Sequence, residues 1–199
     1  MKLVVAVTGA SGSIYAQRLL GQIAKAKEVE ECHVVLSQYA PEVAATELGA
    51  QGLKIPKGMK LYGDKTMQVP FASGSARFEA MVIVPCSMGM LGRIAHGYSD
   101  GTIARSADVF LKEKRKLIVV PRETPWNLVQ ARNVVTLLEA GAVILPAVPS
   151  FYGRPKSVED VVDTVVARIL DHLGLRNELA TRWKSKVGKK SRRRSRLAA

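Results

Sequence analysis

Met1–Leu20, MKLVVAVTGASGSIYAQRLL, runs from Leu and Val through a turn with two glycines into apolar residues at helical spacing. A run that is apolar at every position, rather than at alternate ones, suits a strand covered on both faces, the habit of parallel sheets. The same order recurs along the chain. Strand-like runs fall at Leu3–Thr8, His33–Ser37, Ala80–Pro85, Lys116–Pro121 and Ala142–Pro146. Helical patterns fall between them at Ile14–Ala26, Ala40–Leu48, Thr102–Lys114, Asn127–Ala140 and Ser157–Leu173. In the last, Val158, Val161, Val162, Val165, Ile169 and Leu170 make one stripe. This alternation predicts an α/β protein with a mostly parallel sheet. Gly49–Gly74, rich in Gly, Lys and Pro, predicts loops with one short strand near Lys60–Tyr62.

The 199 residues suffice for one domain, expected over 1–180, followed by a basic tail over 181–199. Nine basic residues and no acid lie in Arg182–Ala199, so the formal charge of +13 falls to +4 without that segment. A body at +4 is compatible with a phosphate-bearing ligand and does not ask for a polyanion, so a nucleic-acid partner is not expected. The tail has almost nothing apolar to bury and reads as a solvated, disordered appendage. No apolar run approaches a membrane span, and the N-terminus lacks a small-residue cleavage site, which points to a cytoplasmic protein. Cys32 and Cys86 are far apart, with no His at metal-ligand spacing; neither a disulfide framework nor a metal site is indicated.

In an open parallel sheet the ligand site lies beyond the carboxyl ends of the strands. The residues there are Gly9-Ala10-Ser11-Gly12, Ser37, Cys86-Ser87-Met88-Gly89, Arg122-Glu123 and Pro149-Ser150-Phe151-Tyr152. Gly9–Gly12 is neither a dinucleotide fingerprint nor a Walker loop, and a tight turn with Ser11 as helix N-cap competes with a ligand cradle. Ser37 and Ser87 face the same choice, though three such positions on one edge favour a planar, hydrogen-bonding ligand. Arg122 can clamp a phosphate and Glu123 can move a proton, unless the two are spent in surface ion pairs. Arg105 and Lys112 share a helix face, where Asp108 offers Lys112 an ordinary i,i+4 partner. Arg168 could reach a phosphate or lie outward along the final helix. His33, His96 and His172 form no catalytic set.

Taken together, TGASGSIYAQRLL, LSQYA with TEL, ASGSARFEAMVIVPCSMGML, SDGTIARSADVFLKEKRKLIVVPRETP and LPAVPSFYGRP resemble the UbiX-type flavin prenyltransferases over Met1–Trp183. That resemblance implies a three-layer Rossmann-like, flavodoxin-like parallel sheet, and a homo-oligomer, trimer or dodecamer, with sites between subunits. It assigns Gly9, Ala10, Ser11, Ser37, Ser87, Met88, Gly89, Met90 and Arg122 to FMN. Lys112, Arg122, Tyr152 and Arg168 match the group around the phosphate of dimethylallyl phosphate, with Arg105 and Trp183 at site or interface positions. Glu47 and Glu123 match the acidic positions and, with Ser11, make the candidate catalytic set. The implied chemistry joins a dimethylallyl group to N5 and C6 of reduced FMN without a metal, for use by a UbiD-type decarboxylase. Fixed cations at Lys112, Arg122 and Arg168 would stabilise the departing phosphate.

Two rivals share the fold. One is an FMN-dependent cysteine decarboxylase, whose catalytic His and Asn-rich motif have no counterpart here. The other is a flavin-binding accessory subunit of a hydroxyaryl acid decarboxylase. From another class comes a binding module whose basic tail is the active part.

Overall fold

The structure, a computed structural model, describes residues 1–182, so the expectations for Trp183 and for most of the tail lie outside the described residues. Six strands form one all-parallel sheet: β1 (Lys2–Val7), β2 (Glu31–Leu36), β3 (Lys60–Gly63), β4 (Ala80–Cys86), β5 (Lys116–Pro121) and β6 (Val143–Ile144). Their spatial order is β3-β2-β1-β4-β5-β6. The helices are α1 (Ser13–Ile23), α2 (Ala40–Leu48), α3 (Met88–Ala95), α4 (Thr102–Lys112), α5 (Leu128–Glu139) and α6 (Val158–Leu173).

Buried Val, Leu and Ile divide by strand parity into two cores. Leu3, Val5 and Val7 face α1 and α6, while Val4, Ala6, Met81 and Ile83 face α3 and α4. Sheet and helices therefore stack in three layers, as expected. α5 opens with a reciprocal cap, Asn127 accepting from Gln130 N–H at 2.9 Å and Gln130 accepting from Asn127 N–H at 3.0 Å. α6 has Ser157 as its N-cap, Glu159 and Asp160 in the first turn and a left-handed Gly174 at its end.

Three features differ from the sequence reading. α3 was not foreseen: MGMLGRIA carries two glycines, which weaken a helical pattern, yet Leu91 and Ile94 are buried and Ser87 caps it. The strand expected over Ala142–Pro146 contracts to Val143–Ile144, although the Leu145 and Ala147 N–H groups still donate to the Val119 and Pro121 carbonyls at 2.9 and 3.0 Å. The first helix stops at Ile23, short of Ala26.

Candidate functional site

Register places Val7 opposite Leu36, Ala6 opposite Ile83 and Cys86 opposite Pro121. The residues that follow, Ser37, Gly9–Ser11, Ser87 and Arg122, thus leave four consecutive strands at one edge, around the point where strand order reverses. Thr8 stitches two of these ends together. Its buried hydroxyl donates to the Pro85 carbonyl at 2.8 Å and accepts from Ser87 N–H at 2.8 Å. Ser37 N–H donates to the Val7 carbonyl at 2.9 Å, fixing the β2 end in the same way. Gly9 admits no side chain, since a Cβ there would lie 2.7 Å from Tyr39 Cβ.

The cap of α1 corrects one expectation. Its N-cap is Gly12, at φ 112° and with no side chain to offer, so Ser11 does not cap the helix. Glu47, in the last turn of α2, does so from a distance, accepting from Gly12 N–H at 2.9 Å and from Ser13 N–H at 2.7 Å. Burial works to raise the Glu47 pKa, but hydrogen bonds from the Ser11 hydroxyl and from the Gly12 and Ser13 N–H groups outweigh it and hold the carboxyl below its ordinary value. The structure therefore gives Glu47 the task of shaping the glycine loop.

Glu47 leaves part of the loop open. Among the described residues no acceptor within the chain meets the N–H groups of Gly9, Ala10 and Ser11, or those of Met88 and Gly89 at the start of α3. Ser87 caps α3 by accepting from Met90 N–H at 3.3 Å. Gly89 is exposed, and a Cβ added to it would meet nothing within 4 Å. A row of unclaimed donors beside a glycine open to solvent fits a flat, polar, phosphate-bearing molecule such as FMN.

Arg122 adds a cation at the same edge. Its N–H donates to the Cys86 carbonyl at 3.1 Å, and neither Arg122 nor Glu123 enters an ion pair among the described residues. The surface-pair alternative raised by the sequence thus finds no support. Burial raises the pKa of the nearby Tyr15 hydroxyl, and the Arg122 charge partly offsets this. Glu123 accepts from Thr124 N–H at 3.0 Å through Oε1, and its carbonyl accepts the Trp126 indole N–H at 3.0 Å. Thr8, Tyr15 and Tyr39 were not singled out by sequence reasoning. Thr8, the last residue before the first glycine, was the legible one.

Other expected site residues do not converge within one chain. α4 starts at the carboxyl edge, where Asp64 just past β3 accepts from Ile103 N–H at 2.7 Å. It descends to Lys112, which pairs with Glu113 at 2.8 Å just before β5 begins. α6 descends likewise, and the His172 carbonyl, one turn past Arg168, accepts from Lys116 at the start of β5 at 2.5 Å. Lys112 and Arg168 therefore lie toward the amino edge, away from Arg122. Asp108 pairs with Arg105 at 2.9 Å and not with Lys112, whose ammonium is taken by Glu113. Tyr152 is exposed on the loop after β6. Among the described residues no cluster of His, Cys, Asp and Glu is arranged to hold a metal ion.

Comparison with known proteins adds to this geometry. Residues 1–170 match the family model described as Flavoprotein. Flavin prenyltransferase UbiX of Methanocaldococcus jannaschii is 44% identical over 184 residues, covering 92% of this chain and 98% of that protein. Flavin prenyltransferase UbiX of Pseudomonas aeruginosa is 42% identical over 197 residues, covering 92% of this chain and 93% of that protein. Among solved structures, a dodecameric FMN-dependent UbiX-like decarboxylase from Escherichia coli O157:H7 superposes with a TM-score of 0.85 at 37% identity, covering 93% of this chain and 100% of the other. AnUbiX in complex with FMN and dimethylallyl pyrophosphate gives a TM-score of 0.83 at 37% identity, covering 93% of this chain and 98% of the other. The FMN-dependent cysteine decarboxylase TvaF, 18% identical with a TM-score of 0.54, shares the fold alone.

Proposed function

Because the chain belongs to the flavoprotein family, among the UbiX flavin prenyltransferases, we infer that it is a flavin prenyltransferase acting on FMN. It joins a dimethylallyl group from dimethylallyl phosphate to N5 and C6 of reduced FMN. The observation that carries this reading is the row of N–H groups at Gly9, Ala10, Ser11, Met88 and Gly89 left unclaimed among the described residues, with Arg122, unpaired among them, beside it.

In this reading Gly9, Ala10, Ser11, Ser37, Ser87, Met88, Gly89, Met90 and Arg122 hold the flavin. Reduced flavin supplies the nucleophilic positions. The chain's own task is to orient it and to neutralise the phosphate as it departs. An Arg clamps phosphate through paired N–H donors, and an ammonium adds point charge, so Arg122, Lys112 and Arg168 with the Tyr152 hydroxyl suit that role without a metal. Glu123, adjacent to Arg122 and free of an ion pair among the described residues, exchanges the proton. Glu47 and Ser11 support the reaction by fixing the loop.

Since Lys112 and Arg168 stand apart from Arg122 in one chain, the cation set is completed across a contact between copies of the chain. Exposed apolar residues are available for such a contact. Leu128, Val135 and Leu138 make a stripe on α5, and Trp126, Val148, Phe151 and Tyr152 lie on neighbouring loops. The UbiX-like relative from Escherichia coli is a dodecamer, which supports a homo-oligomer here. A UbiD-type decarboxylase would receive the product. Among the described residues no helix is long and apolar enough to cross a membrane, and we place the protein in the cytoplasm. Residues 1–180 act as the catalytic domain, with Lys184–Ala199 peripheral to the chemistry.

Anaerobic incubation with reduced FMN and dimethylallyl phosphate, followed by mass analysis of the released flavin, tests the reading. The flavin should gain one five-carbon unit, also when Lys184–Ala199 is deleted; recovery of unmodified FMN alone overturns it.

A further inference from the structure

The chain beyond α6 doubles back along that helix. Leu175 is buried, Leu179 packs on the core, and Asn177 Nδ2 donates to the Asp171 carboxylate at 3.0 Å and to the Ala167 carbonyl at 3.4 Å. Thr181 then passes beside Gly153, where a Cβ would lie 2.9 Å from Thr181 Oγ1; Gly153 thus makes room for the returning segment next to Tyr152. Arg182 closes the return on Asp171, with Nη2 at 2.8 Å and Nη1 at 3.3 Å. The same carboxylate accepts from Arg168 Nη1 at 3.1 Å. Two guanidinium groups and an amide therefore share one aspartate, and both neighbours of the returning segment, Tyr152 and Arg168, are residues assigned above to the donor phosphate.

We propose that Asp171 and Arg182 are positioning residues for the phosphate donor, Arg182 holding the Asp171 carboxylate so that Arg168 can turn from it to the phosphate. The proposal rests on the reading of Arg168 as a phosphate ligand. A carboxylate paired with Arg168 alone competes with an incoming anion and, once Arg168 leaves, stands uncompensated close to a second negative charge. With Arg182 and Asn177 in place, Asp171 keeps two donors after Arg168 departs. Burial works to raise the Asp171 pKa, but the hydrogen bonds from Arg182 and Asn177 and the charges of Arg182 and Arg168 lower it overall, so Asp171 is a carboxylate at neutral pH.

The test is steady-state kinetics of the full chain with dimethylallyl phosphate varied at saturating reduced FMN. Arg182→Gln should raise the KM for the donor about 5-fold, the size expected for one partly exposed ion pair, with flavin affinity unmoved. Asp171→Asn in the Arg182→Gln background should bring KM back to within about 2-fold of the parent, since the competing charge is gone. Arg182→Lys should keep KM near the parent. Segment fastening alone predicts the opposite for the double variant, because removing the second half of a fastening does not repair loss of the first. An unchanged KM in Arg182→Gln, or no recovery in the double variant, overturns the proposal. Arg168→Gln separates the two levels: if it leaves KM unchanged, the phosphate reading falls and takes the proposal with it. If it raises KM while Arg182→Gln does not, only the exchange at Asp171 is wrong.

Discussion

Glu123 and Glu47 are both acids near the strand ends, yet their surroundings give them different work. Glu123 enters no ion pair among the described residues and receives a single backbone hydrogen bond at its carboxylate. Glu123→Gln keeps that acceptor and the size of the side chain while removing the exchangeable carboxyl proton. Flavin binding, read by fluorescence titration, should stay within about 2-fold, and product formation should fall by two orders of magnitude or more, on the order of a general acid–base contribution. Normal turnover would remove Glu123 from the chemistry. Glu47 is instead a structural anion. Its pKa is lowered on folding, so the stability it adds is present above the ordinary value of 4.5 and is lost as pH falls through the folded value. The stability gap between the parent and Glu47→Gln, measured by denaturant unfolding, should therefore close toward acid; a gap constant with pH would refute this role. The sequence offered Glu47 as an acidic site residue but not its partners, because a contact across 34 residues has no local signature. It misplaced the cap at Ser11 for the same reason: with a left-handed Gly12 in between, the capping oxygen arrives from another helix.

At the scale of elements, the site depends on how β1 and β4 end together. Replacing Thr8 by Val keeps the shape of the side chain but removes the acceptor for Ser87 N–H and a donor to the Pro85 carbonyl. Stability should fall by about 1–3 kcal/mol, the range for unsatisfied buried polar groups, and FMN affinity should fall with it, because Ser87 caps the helix that presents Met88 and Gly89. A variant of parental stability and affinity would show that the stitch is dispensable. The strands bearing this edge were legible because β1, β4 and β5 are apolar at nearly every position, as burial on two faces requires. β3 was legible only as a short strand within a loop, since Lys60 and Leu61 at the sheet margin are exposed and carry no buried pattern. α3 escaped notice because its eight residues include Gly89 and Gly92, and the latter is left small by Asn133 Nδ2, 3.2 Å from where its Cβ would lie.

For the whole molecule, the cations expected around one phosphate belong to opposite edges of the sheet, so the proposed reaction ties catalysis to assembly. Leu138 is 51% exposed on the apolar stripe of α5. Leu138→Glu should reduce the assembled mass in light scattering and reduce prenyl transfer in parallel, while FMN binding to the loop after β1 persists. Full activity in a monomeric variant would disprove the linkage. The sequence held the cations but not their separation, because Lys112 and Arg168 are placed by the descent of α4 and α6, a property of topology rather than of any motif.

The pairing of Leu3 with Ala80 also bears on how the protein is made. During synthesis β1 cannot acquire its second neighbour until some eighty residues have followed it. Until then Leu3, Val5 and Val7 have only β2 beside them, and one flank of an apolar strand stays open to other nascent chains. Sheets closed by such distant partners fold slowly and are prone to aggregate on the way. The yield of folded protein during synthesis should therefore depend on chaperone capacity more than the stability of the finished sheet would suggest.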